Sequence, residues 1–194
     1  MGSFRKFSQI AAIIAAGGVA SRWHGGGIFQ TAPKVIKNTV WALPFALTVY
    51  FAAYNIWFSL CAFVLCLAGK ATGHGGFMDL GTNPKEPFNG RTPEKLEWLI
   101  LWLYPHMPRY WYDALGMCLM GLAATSGAAM VFWYIGDHNA AYAFTVAGLA
   151  KGPCYMLGRF ISTKYATELG EFFTGLAAFA AIAYTLVKYN ILPI

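Results

Sequence analysis

From Trp41 to Ala68 the chain carries no charged side chain, and Leu115 to Ile135 repeats the pattern. A helix needs about 20 apolar residues to cross the roughly 30 Å hydrocarbon core of a bilayer, and both runs are long enough. Barrel strands would instead alternate apolar and polar residues over segments of about ten, whereas these runs are apolar on every face. Only 11% of the residues are charged against 58% hydrophobic, and a soluble domain carries about 25% charged residues. The expected fold is therefore all-α: one polytopic transmembrane helix bundle, spanning 1–194 as a single membrane domain.

The net charge of +6 does not point to nucleic acid, because the basic residues are scattered singly and form no stripe. They read as topology signals and as contacts to the lipid bilayer, anionic phospholipids in particular. Cys61, Cys66, Cys118 and Cys154 all lie in apolar segments without a CxxC pair, which argues against a disulfide framework or a zinc knuckle.

Five apolar segments can be marked, at 8–20, 38–69, 111–136, 139–162 and 167–188. The first, behind Arg5 and Lys6, has the outline of a secretory signal, and Val19-Ala20-Ser21 would serve as its cleavage site. Gly17-Gly18 weakens that apolar stretch, so a retained short amphipathic or re-entrant helix is expected. The polar stretch 70–110 opens with a glycine-rich turn, and Thr92-Pro93-Glu94 has the chemistry of a helix start. The resulting helix, 93–104, carries Trp98 and Trp102 and suits the membrane interface.

Lys70, Lys85, Arg91, Lys95 and Arg109, with Arg159 and Lys164, place the 70–110 loop and the 159–166 turn in the cytoplasm by the positive-inside rule. The Gly136-Asp137-His138-Asn139 turn then faces the other side. Arg22, Lys34 and Lys37 also prefer the cytoplasm, which a single span over 38–69 forbids. Two arrangements answer this: a hairpin of two short helices turning near Tyr54-Asn55, or one long tilted helix kinked at Pro44 with the N-terminal segment outside. The count is accordingly four to six spans.

Lys151 stands out chemically, since an ammonium in the middle of the fourth segment costs about 3 kcal/mol or more unless paired or snorkelled. Pro153 removes the hydrogen bond to the Leu149 carbonyl, and a broken helix beside a cation is one way to build a polar site in a membrane. The bland alternative is a helix that ends near Lys151 at the interface. Arg159, Asp113, Glu168 and Glu171 gather at the same inferred end, either as structural ion pairs or as an anion- or lipid-headgroup-binding pocket at the cytoplasmic face. His74 and Asp79 bring a base and an acid to a glycine-rich turn that exposes backbone N–H groups. His24, His74 and His106, with Asp79, are ligand types that could in principle bind a metal, but no HxxxH or HExxH spacing backs a metal centre. Gly121, Thr125 and Ala129, and the pair Gly148 and Gly152, are spaced for close helix packing. Ala124-Thr125-Ser126-Gly127 lacks the first glycine of the rhomboid-protease nucleophile turn, and serine proteolysis is set aside.

The succession Arg22-Trp23-His24 before three glycines, Trp41-Ala-Leu-Pro44, Gly73-His74-Gly-Gly with Met78-Asp79-Leu-Gly81, Lys151-Gly152-Pro153 with Tyr155-Met-Leu-Gly158, and Gly170-Glu171 with Thr174-Gly175 resembles a group of small inner-membrane proteins of tailed-phage and prophage genomes. The resemblance spans most of the chain. It implies a bacterial inner (cytoplasmic) membrane as the location and carries no activity or cofactor. Three readings follow: a membrane protein with an anion-binding pocket in which Lys151 and Arg159 meet the ligand; a structural or pore-forming subunit, for lysis or superinfection exclusion, assembling as a homo-oligomer or with membrane-complex partners through its small-residue rows; and a small dimeric transporter built on the broken fourth segment.

Overall fold

At Tyr54 the backbone enters the left-handed region (φ 49°) while its N–H still closes on the Tyr50 carbonyl at 2.8 Å. Asn55 follows, and its Oδ1 accepts the N–H groups of Trp57 at 2.8 Å and Phe58 at 3.4 Å, the side-chain cap that starts a new helix. These two residues fold the long uncharged run into a hairpin, one of the two arrangements the sequence allows. The Ser59 hydroxyl closes it by donating to the Ala46 carbonyl at 2.8 Å.

The computed structural model describes residues 2–26, 33–76, 109–162 and 165–191. Among them all regular structure is helical: α1 (Gly2–Gly26), α2 (Lys34–Ala53), α3 (Ile56–Gly76), α4 (Arg109–Tyr134), α5 (His138–Leu149), α6 (Lys151–Ile161) and α7 (Ala166–Lys188). Three helices are long and apolar enough to cross a membrane, over Val35–Ala53, Ala114–Tyr134 and Glu168–Lys188, and α1 and α3 contribute shorter apolar stretches, Phe7–Ser21 and Ile56–Ala71. A helical membrane bundle fits this arrangement.

Several boundaries depart from the sequence expectation. The first segment extends to a 25-residue helix, because Gly17 and Gly18 let it lie directly on Phe179, Leu176 and Phe172 of α7. The segment 139–162 divides at Ala150 into α5 and α6. Residues 70–76, expected to open the polar loop, continue α3, since Lys70 is buried and not at a surface. The interfacial helix expected at 93–104 lies outside the described residues.

The core sits where α2, α3, α4, α5 and α7 meet. Phe132 and Phe144 stack with centroids 5.5 Å apart, and Phe45 meets Phe144 edge-on at 5.8 Å. Around them the buried positions are largely alanine: Ala42, Ala62, Ala128, Ala140, Ala178 and Ala181. Small side chains allow the close backbone approach on which packing in lipid depends. The outward faces are apolar too, and at the Tyr54 end they turn aromatic: Tyr54, Trp57, Trp133, Tyr134 and Tyr142 are exposed. Such rings are enriched where hydrocarbon meets water.

That same end is tied by Asp137. Its Oδ1 caps α5 by accepting the Ala140 N–H at 3.0 Å and also pairs with Lys188, while its Oδ2 accepts the Tyr189 hydroxyl at 2.8 Å. Burial works against ionising this carboxyl, but the bonds from Lys188, Ala140 and Tyr189 outweigh it and hold its pKa below the usual 3.8. Tyr189 is pushed up to about 12 by burial and by its bond to Asp137. A depressed carboxyl stabilises the fold above its unfolded pKa and loses that contribution as pH falls through the folded one; a raised phenol does so below pH 10 and loses it towards 12. Asp137→Asn is therefore expected to melt below the wild type from about pH 5 to 9, with the difference closing under strong acid. Melting curves in detergent micelles read this directly, and a gap that stays constant into strong acid would contradict it.

Candidate functional site

The Leu149 carbonyl, which Pro153 cannot serve, accepts the Cys118 thiol of α4 at 3.1 Å. This bond satisfies the broken ladder across the interface and places Lys151 at the start of α6, facing inward. Lys151 is 3% exposed and Glu171 of α7 is 6% exposed. They pair at 3.3 Å between Nζ and Oε1. The Tyr155 hydroxyl donates to the same Oε1 at 2.5 Å, and the Ser21 hydroxyl of α1 reaches Oε2 at 3.2 Å. Lys151 also lies 5.6 Å from the centroid of the Tyr155 ring.

A second lysine completes the cluster. Lys70 of α3 is 1% exposed, and its ammonium lies 4.8 Å from the centroid of the Trp41 ring of α2, a cation–π arrangement. It is within electrostatic reach of both Lys151 and Glu171. Among the described residues no carboxylate pairs with it directly. Glu168, half-buried one turn before Glu171 on α7, acts on Tyr155 from the edge of the cluster.

Glycines make this convergence sterically possible. A Cβ on Gly175 would strike the Gly17 carbonyl and sit 2.5 Å from the Ser21 Cβ, so Ser21 reaches Glu171 because α7 has no side chain there. A Cβ on Gly170 would come 2.8 Å from the Tyr155 ring. A Cβ on Gly121 would collide with the Gly148 carbonyl oxygen and come 2.8 Å from the Lys151 Cβ. Gly148 in turn faces Thr125 and Leu122, and Gly152 faces Ala114 and Cys118. The two small-residue rows seen in the sequence thus face each other within one chain.

The other candidates are placed as follows. Arg159 is exposed two turns along α6 from Lys151. Asp113 lies in the first turns of α4, His74 in the last turn of α3 and His24 near the end of α1, their side chains outside the description; Asp79 and His106 lie outside the described residues altogether. Among the described residues no three His, Cys, Asp or Glu side chains gather for a metal. The Ser126 hydroxyl donates to the Ala123 carbonyl of its own helix at 2.8 Å.

Sequence reasoning gathered Lys151, Arg159, Asp113, Glu168 and Glu171 at one end, with ion pairing among them as one reading, and missed Lys70, Trp41, Tyr155 and Ser21. One signal was present: Trp41 and Lys70 are almost equidistant from Asn55 in the sequence, so a hairpin turning there brings them level.

Chemically, Glu171 has donors on both oxygens and is an acceptor already occupied, suited to holding Lys151 in place. The buried cluster holds two lysines against one carboxylate. Compared with known protein families, curated proteins and solved structures, the chain matches none.

Proposed function

We propose that this chain is an integral protein of a bacterial inner membrane that binds an anionic group, namely a phospholipid headgroup, at the Lys70 end of its bundle. The observation behind this reading is the imbalance of buried charge: Lys70 and Lys151 against Glu171 alone, among the described residues. Lys70 has no carboxylate of its own among the described residues and shares the field of Glu171 with Lys151, so its charge is costly in hydrocarbon, and an anion entering from that end would relieve the cost. Lys70 is the main contact in this reading. Lys151, already bonded to Glu171, supplies field, and Arg159 extends the positive surface outward. Lys37 near the start of α2 and Arg109 at the start of α4 stand at the same end, which the positive-inside rule assigns to the cytoplasm.

The test compares retained lipid on the full chain by native mass spectrometry, after micelles are supplied with phosphatidylglycerol or phosphatidylcholine. The wild type is expected to retain phosphatidylglycerol selectively. Lys70→Met is expected to lower that retention about tenfold without loss of thermal stability, since it removes a buried charge and leaves the Lys151–Glu171 pair intact. Equal retention of the two lipids, or unchanged retention in Lys70→Met, would overturn the reading.

A further inference from the structure

At the opposite end of the bundle two cavities adjoin. One, of about 440 Å³, is lined by Asp137, His138, Asn139, Lys188 and Tyr189 among others. The other, of about 550 Å³, is a groove between α5 and α7, bounded by Asn139, Tyr142, Val146 and Ala150 on one side and Ala177 and Tyr184 on the other. Asn139 lines both, so a polar head and an apolar groove meet at that residue. Each lies within the usual range for small-ligand sites, about 300–1,000 Å³.

The dimensions and charges fit one kind of occupant. From Asn139 to Ala150 the groove follows α5 for about 16 Å at 1.5 Å per residue, close to one leaflet of a hydrocarbon core about 30 Å thick. Its floor is alanine, and Tyr142 and Tyr184 stand at its polar end. Above them, the Lys188 ammonium is 36% exposed and bonds one Asp137 oxygen. An ammonium has three N–H donors, so the pair with Asp137 leaves capacity for a phosphate. His138, exposed beside it, is held against the Trp133 ring at 4.4 Å between centroids.

We propose that this site seats one glycerophospholipid of the adjacent leaflet, its phosphate beside Lys188 and Asn139 and one acyl chain in the α5–α7 groove. The site is separate from the Lys70 cluster and does not depend on that reading. Charge complementarity between Lys188 and a phosphodiester, directly above an apolar groove one leaflet long, favours a lipid over the apolar face of a helix from another copy.

The experiment uses the full chain in nanodiscs containing a phosphatidylcholine with a photoreactive group on its acyl chain, followed by peptide mapping of the crosslinks. Labelling is expected on residues 139–150 and 177–184. Ala180→Phe and Val146→Trp fill the groove from opposite walls at exposed positions and are each expected to lower that labelling about fivefold, with labelling elsewhere unchanged. Lys70→Met should leave it intact, which separates this site from the one at the other end. Undiminished labelling in both groove variants would overturn the proposal. So would a wild-type dimer, measured by light scattering, that either variant dissociates, because the groove would then seat a second copy.

Discussion

Lys151→Met is expected to destabilise the bundle by about 3–5 kcal/mol, the usual cost of removing one partner from a buried ion pair. From sequence alone this substitution is expected to change ligand binding and spare the fold. The structure reverses that expectation, because Glu171 is buried and its Oε1 shares Lys151 with Tyr155. Methionine would fill much of the same volume but leave a carboxylate whose remaining donors, Tyr155 and Ser21, are neutral. The double variant Lys151→Met/Glu171→Leu is expected to recover most of the loss, since a buried pair replaced by apolar residues of similar size is often neutral or stabilising. Lys70→Met should cost less than Lys151→Met, as Lys70 acts on Glu171 through its field alone, whereas Lys151 also donates a hydrogen bond to it. Reversible unfolding in mixed micelles measures all three. A Lys151→Met protein as stable as the wild type would show that the pair contributes nothing to holding α6 on α7.

These variants also mark how far the sequence could be read. The helical membrane bundle was legible because absence of charge over 41–68 and 115–135 is a property of composition, independent of how the helices meet. Lys151 and Glu171 were legible as charges set against apolar neighbours and converging on one end of the bundle. Which charge pairs with which was not, since it depends on how α6 and α7 lie against each other. Lys70 escaped notice for a related reason. At the edge of an apolar run a lysine looks like a loop residue, and only the hairpin at Tyr54-Asn55 brings it under Trp41 and into the bundle. Tyr155 and Ser21 carry no charge and acquire meaning only from the carboxylate they donate to. The same limit applies to the small-residue rows: spacing identifies a surface built for close contact, but a helix of the same chain and a helix of another copy present the same pattern to it.

Gly121→Ala tests that last distinction through a direct backbone clash, and is expected to cost about 3 kcal/mol, the upper part of the usual overpacking range. The added methyl would meet the Gly148 carbonyl, which is backbone and cannot rotate away, together with the Lys151 Cβ. Relief requires α4 to move off the junction of α5 and α6, and that junction positions Lys151 against Glu171. The packing penalty and the ion pair should therefore be coupled: Gly121→Ala should cost less in the Lys151→Met/Glu171→Leu background than in the wild type, by a double-mutant cycle. Gly136→Ala is the control. Nothing lies within 4 Å of a Cβ there, and only its φ of +84° opposes a side chain, a backbone penalty of order 1 kcal/mol. If Gly121→Ala proves no worse than Gly136→Ala, the close approach of α4 to Gly148 is not what holds this part of the bundle. If instead Gly121→Ala leaves the monomer stable and abolishes an oligomer, the row serves contact between copies, and the packing within one chain is the weaker of its two uses.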